Sequence, residues 1–289
     1  MQIQSLSGPW SFRQAGNSIQ PELQQWMPAQ VPGGAHTDLL ALGLIPEPFA
    51  GDNEKRVMWV AESDWQYQRT FSVPAALLAE DKVFLVCDGL DTLATVFVNG
   101  VLLGSTANMF RQYRWEVKSL LHPGDNQIQV DFSSSVRYCT QREKQRSLNT
   151  VTQAIAGGPY LRKAPCQFGW DWGPMLPPVG IWKDLRLEGR SQARLEDVHL
   201  RQQHQAGAVT ISASLKIENW KSQKLDATLC LVHPSGAVQQ ARLECSSAHE
   251  VNLSLEVDHP QLWWPNGLGA QPLYAVEVLL EGENGQPLD

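Results

Sequence analysis

The strongest constraint in this chain is strict alternation of apolar and polar residues. Between Ala208 and Glu218, Val209, Ile211, Ala213, Leu215 and Ile217 are interleaved with Thr210, Ser212, Ser214, Lys216 and Glu218. A helix would scatter the apolar set around its circumference, whereas a strand puts all of it on one face. The pattern returns with Val251, Leu253, Leu255 and Val257, and again with Tyr274, Val276, Val278 and Leu280. Strands with one buried and one wet face belong to antiparallel sheets.

The first part is also strand-rich but more deeply buried. "KVFLVCDG" is nearly all apolar, and "TVFVNGVLLG" reads as a hairpin. Its Asn99-Gly100 pair tolerates the positive φ that a two-residue turn demands. "NQIQVDF" places Ile128, Val130 and Phe132 inward after a turn at Pro123–Asn126. Helical signals are few. "AHTDLLALGL" predicts a short helix ending at Gly43 before Pro46, and "SVRYCTQREKQRSL" a longer one. A strand, "IWKDLRLE", ends near "LEGRSQARLEDV", where a new series begins. The expectation is all-β: one sandwich over residues 1–190 and a second, immunoglobulin-like in size, over 191–289.

Composition excludes several partners. There are 23 Lys and Arg against 30 Asp and Glu, with no basic stripe, so no nucleic acid is expected. No apolar run is long enough to span a membrane. The start, "MQIQSLSGPWSF", has neither a basic nor an apolar leader region, and the five cysteines are odd in number and scattered. Both features predict a cytoplasmic protein with reduced thiols. The seven histidines are isolated and no phosphate-binding glycine motif occurs, so no metal and no cofactor are expected.

One stretch stands apart. "FGWDWGP", Phe168 to Pro174, holds an acid between two tryptophans, with glycine and proline fixing the backbone. A carboxylate accepts charge-assisted hydrogen bonds from neighbouring hydroxyls, and an indole covers the C–H face of a sugar ring. The bland alternative makes both rings core and Asp171 a turn cap.

Six separated motifs occur in a familiar order: "LSGPWSF", "VPGGAHTDLLALGLIPEPFAGDNE", "MWVAESDWQYQRTF", "CDGLDTLATVFVNGVLLGSTANMF", "YLRKAPCQFGWDWGPMLPPVGIWKDLRLE" and "LWWPNGLGAQPLY". Together they resemble the front part of glycoside hydrolase family 2 enzymes. "FGWDWGP" after "RKA" narrows the resemblance to the β-mannosidases. The resemblance implies a galactose-binding-like jelly roll over 1–190 and an immunoglobulin-like sandwich over 191–289 that lacks its last strand. It also implies a catalytic (β/α)8 barrel elsewhere in the same polypeptide, which is a partner this chain does not contain. The implied substrate is an oligosaccharide ending in β-D-mannose.

In such enzymes both catalytic residues are barrel glutamates, so no catalytic residue is expected here, and the chain alone should be inactive. Carried over by resemblance, Asp171 contacts hydroxyls of the terminal mannose and Trp170 shapes the −1 subsite. Arg162 and Lys163 match the pattern as supporting residues that orient Asp171, dock the barrel or form a plain surface ion pair. Glu54 and Glu62 are read as solvated surface. Trp172 is expected in the core, as are Trp10, Trp59, Trp65, Trp115 and Trp182 in strand-like contexts, while Trp263 and Trp264 should pack the second sandwich. Alternatives remain open: a free carbohydrate-binding module, an interaction protein using the immunoglobulin-like surface, or the front of a β-galactosidase or β-glucuronidase.

Overall fold

The alternating stretches form the expected strands in the computed structural model, which describes residues 1–16, 20–151, 153–221, 223–246 and 248–289. The strands of the first unit, Gln2–Gly189, run in chain order: β1 Gln2–Ser5, β2 Gly8–Ala15, β3 Met27–Val31, β4 Asp64–Ser72, β5 Lys82–Cys87 and β6 Leu90–Asp91. Then follow β7 Leu93–Val98, β8 Val101–Ala107, β9 Tyr113–Glu116, β10 Asp125–Ser133, β11 Gly180–Ile181 and β12 Leu185–Arg190. A six-stranded sheet has the order β3-β2-β4-β10-β7-β8, and a four-stranded sheet the order β1-β12-β5-β9. A short third pairing, β11 with β6, puts Gly180 opposite Asp91 and Ile181 opposite Leu90.

Alternation explains the core. In β4, Trp65, Tyr67 and Phe71 are buried, and in β10 Ile128, Val130 and Phe132 are. Phe12 stacks on Trp65 at 5.5 Å, and Tyr67 meets Phe132 edge-on at 5.8 Å. Each such large side chain contributes about 2–3 kcal/mol on leaving water. The Tyr67 hydroxyl donates to Asp38 Oδ2 at 2.9 Å, and the Gln30 amide donates to Asp38 Oδ1 at 3.0 Å. Burial raises the Asp38 carboxyl above the ordinary carboxylate range, against the pull of these two bonds.

The Asn99-Gly100 turn is realised with φ of +49° and +78°. Asn99 also anchors outward: its Oδ1 accepts from the Gln127 amide and its Nδ2 donates to the Leu120 carbonyl, both at 2.8 Å. The helices are short: α1 Ala35–Ala41, α2 Asn53–Arg56, α3 Met58–Glu62, α4 Ala75–Ala79 and α5 Ser135–Gln145. α5 is capped by the Ser134 hydroxyl, which accepts from the Arg137 amide at 3.1 Å. No helix among the described residues is long and apolar enough to cross a membrane.

The second unit, Arg190–Asp289, carries β13 Ala193–Gln205, β14 Ala208–Asn219, β15 Asp226–Val232, β16 Val238–Glu244, β17 Glu250–Asp258 and β18 Ala275–Glu281. They form two sheets, β13-β14-β17 and β16-β15-β18. Val209, Ile211, Ala213, Leu215 and Ile217 all face inward, together with Leu229, Leu253 and Leu280.

The tryptophans depart from expectation in several places. Trp10 and Trp65 are core, and Trp115 lies half-buried on β9. Trp59 sits on α3 rather than a strand, because Val57, Val60 and Ala61 are buried at helical spacing. Trp182 follows β11 and is 37% exposed. Trp263 and Trp264 do not pack into the sandwich and are 57% and 48% exposed. Pro260, Pro265 and Pro272 lack amide donors, so residues 260–274 join no ladder. The two rings instead border a cleft of about 490 Å³ with Leu200, Leu262, Leu273 and Tyr274.

Candidate functional site

The loop 164–177 departs from the sandwich between α5 and β11. A single 3-10 turn, Pro165–Phe168, begins it. Phe168 is buried against Cys139 and Leu161, and its carbonyl accepts from the Ile155 amide at 2.8 Å. The apolar ring thus anchors the outgoing limb.

Gly169 follows with φ of +105°. A Cβ at that position would lie 2.5 Å from Met175 Cγ and 3.2 Å from the Gln153 carbonyl oxygen. Only glycine accepts both the torsion and the crowding. Next, Trp170 and Gly173 exchange backbone hydrogen bonds in both directions at 3.2 Å. This closes a two-residue hairpin with Asp171 and Trp172 at its tip. The returning limb is fixed where the Met175 amide donates to Glu54 Oε2 at 2.9 Å.

Asp171 is exposed, and its carboxylate has no partner among the described residues. Trp170 is half-buried, and its ring centroid lies 5.0 Å from that of Trp172 at an interplanar angle of 52°. Trp172 corrects the expectation of a core ring: it is 78% exposed. Its place at a hairpin tip, rather than inside a strand, removes the face that would have turned it inward.

The supporting residues separate. Arg162 is exposed, and its carbonyl accepts from the Met109 amide at 3.0 Å. Lys163 is neither a surface ion pair nor a barrel-docking side chain. It is 3% exposed, and its ammonium donates to Asp91 Oδ1 at 2.5 Å and to the Pro178 carbonyl at 2.8 Å. The reason is Asp91, itself 1% exposed, whose charge draws the lysine inward. Burial lowers the Lys163 pKa, and Asp91 opposes the fall. Glu54 is a second correction, being a half-buried loop anchor rather than solvated surface.

Beside the hairpin is a cleft of about 490 Å³, bordered by Phe110, Val151, Ile155, Arg162, Phe168 and Trp170. An apolar-walled recess lined by Trp170, the residue that precedes Asp171, suits a ligand with alternating C–H faces and hydroxyls. Among the described residues no group of three or more His, Cys, Asp or Glu is placed to hold a metal ion.

Comparison with known proteins identifies the family and the fold. Residues 10–183 match the glycosyl hydrolase 2 galactose-binding domain-like family, and residues 193–289 match glycosyl hydrolases family 2. β-Mannosidase B of Emericella nidulans is 35% identical over 97% of this chain and 34% of its own length. β-Mannosidase B of Aspergillus oryzae is 37% identical over 96% of this chain and 33% of its own length. The chain therefore spans about a third of the length of the curated relatives it matches. The crystal structure of a β-D-mannosidase from Dictyoglomus thermophilum superposes with a TM-score of 0.87 at 35% identity, covering 100% of this chain and 35% of that one. An exo-chitosanase from Amycolatopsis orientalis, at 16% identity and a TM-score of 0.69, shares the fold. With one family model covering more than half its length and a second covering most of the rest, the chain belongs to family 2 of the glycosyl hydrolases.

Proposed function

We propose that this chain is the non-catalytic front part of a β-mannosidase that removes terminal β-D-mannose residues from oligosaccharides. Residues 1–190 act as its galactose-binding-like jelly roll and 191–289 as its immunoglobulin-like sandwich. Its role is to carry Asp171 and Trp170 into the −1 subsite. The two carboxylates that a retaining glycosidase holds about 5 Å apart belong to a barrel in the rest of the polypeptide. The observation that carries the reading is the Asp171 carboxylate, free of protein partners at the tip of a hairpin pinned on both limbs. Relatives at 35% and 37% identity bearing the name β-mannosidase support it.

The chemistry follows from the tip. A carboxylate bridging two adjacent hydroxyls contributes about 1.5–3 kcal/mol per bond where water is excluded. Contacts remote from the broken bond orient and distort the sugar, so part of this energy appears in the rate. The five cysteines are all free thiols, which supports a reducing compartment such as the cytoplasm.

The test is turnover of 4-nitrophenyl β-mannoside. The full-length enzyme should lose at least about 30-fold in kcat/KM on Asp171→Asn, with unchanged thermal stability. This chain alone should show no turnover. An Asp171→Asn enzyme with unimpaired kcat/KM would remove the proposed role.

A further inference from the structure

Lys163 holds both ends of the loop that carries the hairpin. It immediately precedes residues 164–177, and Pro178, whose carbonyl accepts from its ammonium at 2.8 Å, immediately follows them. The same ammonium reaches Asp91 Oδ1 at 2.5 Å, with side-chain exposures of 0% and 2%. Asp91 lies in β6 opposite Gly180 of β11, so the third side of this knot is the sheet itself. Asp91 Oδ1 also accepts from the Thr92 hydroxyl, and the Thr92 carbonyl accepts from the Thr106 hydroxyl at 2.8 Å.

A buried ion pair is a poor device for stability alone, since apolar residues of similar volume often hold a core as well or better. What an apolar pair lacks is a directional donor. Pro174, Pro177 and Pro178 have no amide hydrogen, so the returning limb is short of hydrogen bonds of its own. The lysine supplies one from the side. The neighbouring titratable groups leave its charge to Asp91. His36 is pushed down to about 4 by burial and then by Lys163, and burial pushes Cys139 up to about 11, so both are neutral at neutral pH.

We propose that Lys163 is a positioning residue: through Asp91 and the Pro178 carbonyl it closes the base of the 164–177 loop and thereby fixes where the Asp171 carboxylate stands. The geometric part is independent of ligand identity, and only its catalytic consequence rests on the β-mannosidase reading.

The decisive variant replaces both members of the pair, Lys163→Met with Asp91→Leu, so that no charge is left buried alone. In this chain, hydrogen exchange of amides within 164–177 should accelerate about tenfold or more, while protection in β4 and β10 stays at the wild-type level. Unchanged exchange in the loop would overturn the proposal. So would parallel loss of protection in the core strands, because the pair would then be a general folding element. In the full-length enzyme the double variant should lower kcat/KM for the β-mannoside about tenfold and add little on an Asp171→Ala background. Additive losses would refute coupling to Asp171. If Asp171→Ala has no effect on turnover while loop exchange still responds, the sugar reading fails and the positioning role stands.

Discussion

Glu54 and Met175 lie 121 residues apart in sequence and are joined by one hydrogen bond, from the Met175 amide to Glu54 Oε2 at 2.9 Å. Glu54 stands on α2, a four-residue helix. The bond makes that turn a buttress for the returning limb of the Trp170–Gly173 hairpin. Glu54→Ala should cost about 1 kcal/mol of overall stability, since the carboxylate is half-buried. The larger effect is local. Acrylamide quenching of tryptophan emission should rise as the hairpin loosens, and an unchanged quenching constant would contradict the buttress.

Gly169 gives a sharper prediction. An alanine there must adopt φ near +105° and place its Cβ 2.5 Å from Met175 Cγ. Torsion and contact together should cost about 2 kcal/mol or more. Gly169→Ala is therefore expected to lower the urea midpoint measurably. Gly173→Ala, where an added Cβ meets nothing within 4 Å, should be milder.

The histidine beside Lys163 predicts a pH dependence. His36 is held at about 4 against an ordinary 6.5, first by burial and then by Lys163. The unfolded chain takes up a proton as pH falls through 6.5, and the folded chain does not until about 4. Stability from this group is thus full above 6.5, declines between 6.5 and 4, and is constant below. The loss is on the order of 3 kcal/mol. Asp38, raised by burial, runs the opposite way: its contribution is present at low pH and lost as pH rises through its folded value. Urea midpoints of wild type and His36→Gln across this window isolate the histidine, and the variant should show the shallower slope.

Cysteine accessibility is equally uneven. Cys166 is exposed, whereas Cys87, Cys139, Cys230 and Cys245 are buried. Titration of the native chain with an aromatic disulfide should release one thiol equivalent rapidly and the other four only on unfolding. Cys166→Ser should abolish the fast phase.

The parts legible in the sequence are those with a local signature. The alternation of Val209 through Ile217 specifies one face of β14, and Asn99-Gly100 marks the turn between β7 and β8 because only short-range torsions are involved. Trp59 misled because three apolar neighbours fit a helix as well as a strand over so short a run. The burial of Lys163 was not legible for a different reason: its partner Asp91 is 72 residues away, and no periodicity announces a charge that will be buried. Glu54 shares that difficulty. Trp172 is expected in the core because it precedes Gly-Pro and its side alternates from that of Asp171, yet its exposure is set by a backbone exchange between Trp170 and Gly173 that alternation does not encode. The family resemblance singled out Asp171, and the tertiary contacts show what holds the hairpin that carries it.

The hairpin is closed by main-chain hydrogen bonds between Trp170 and Gly173. The Asp171 side chain, which has no partner among the described residues, is therefore nearly uncoupled from folding, while Trp172 keeps its ring contact with Trp170. Substitution at 171 can change what the tip displays while the scaffold beneath is spared.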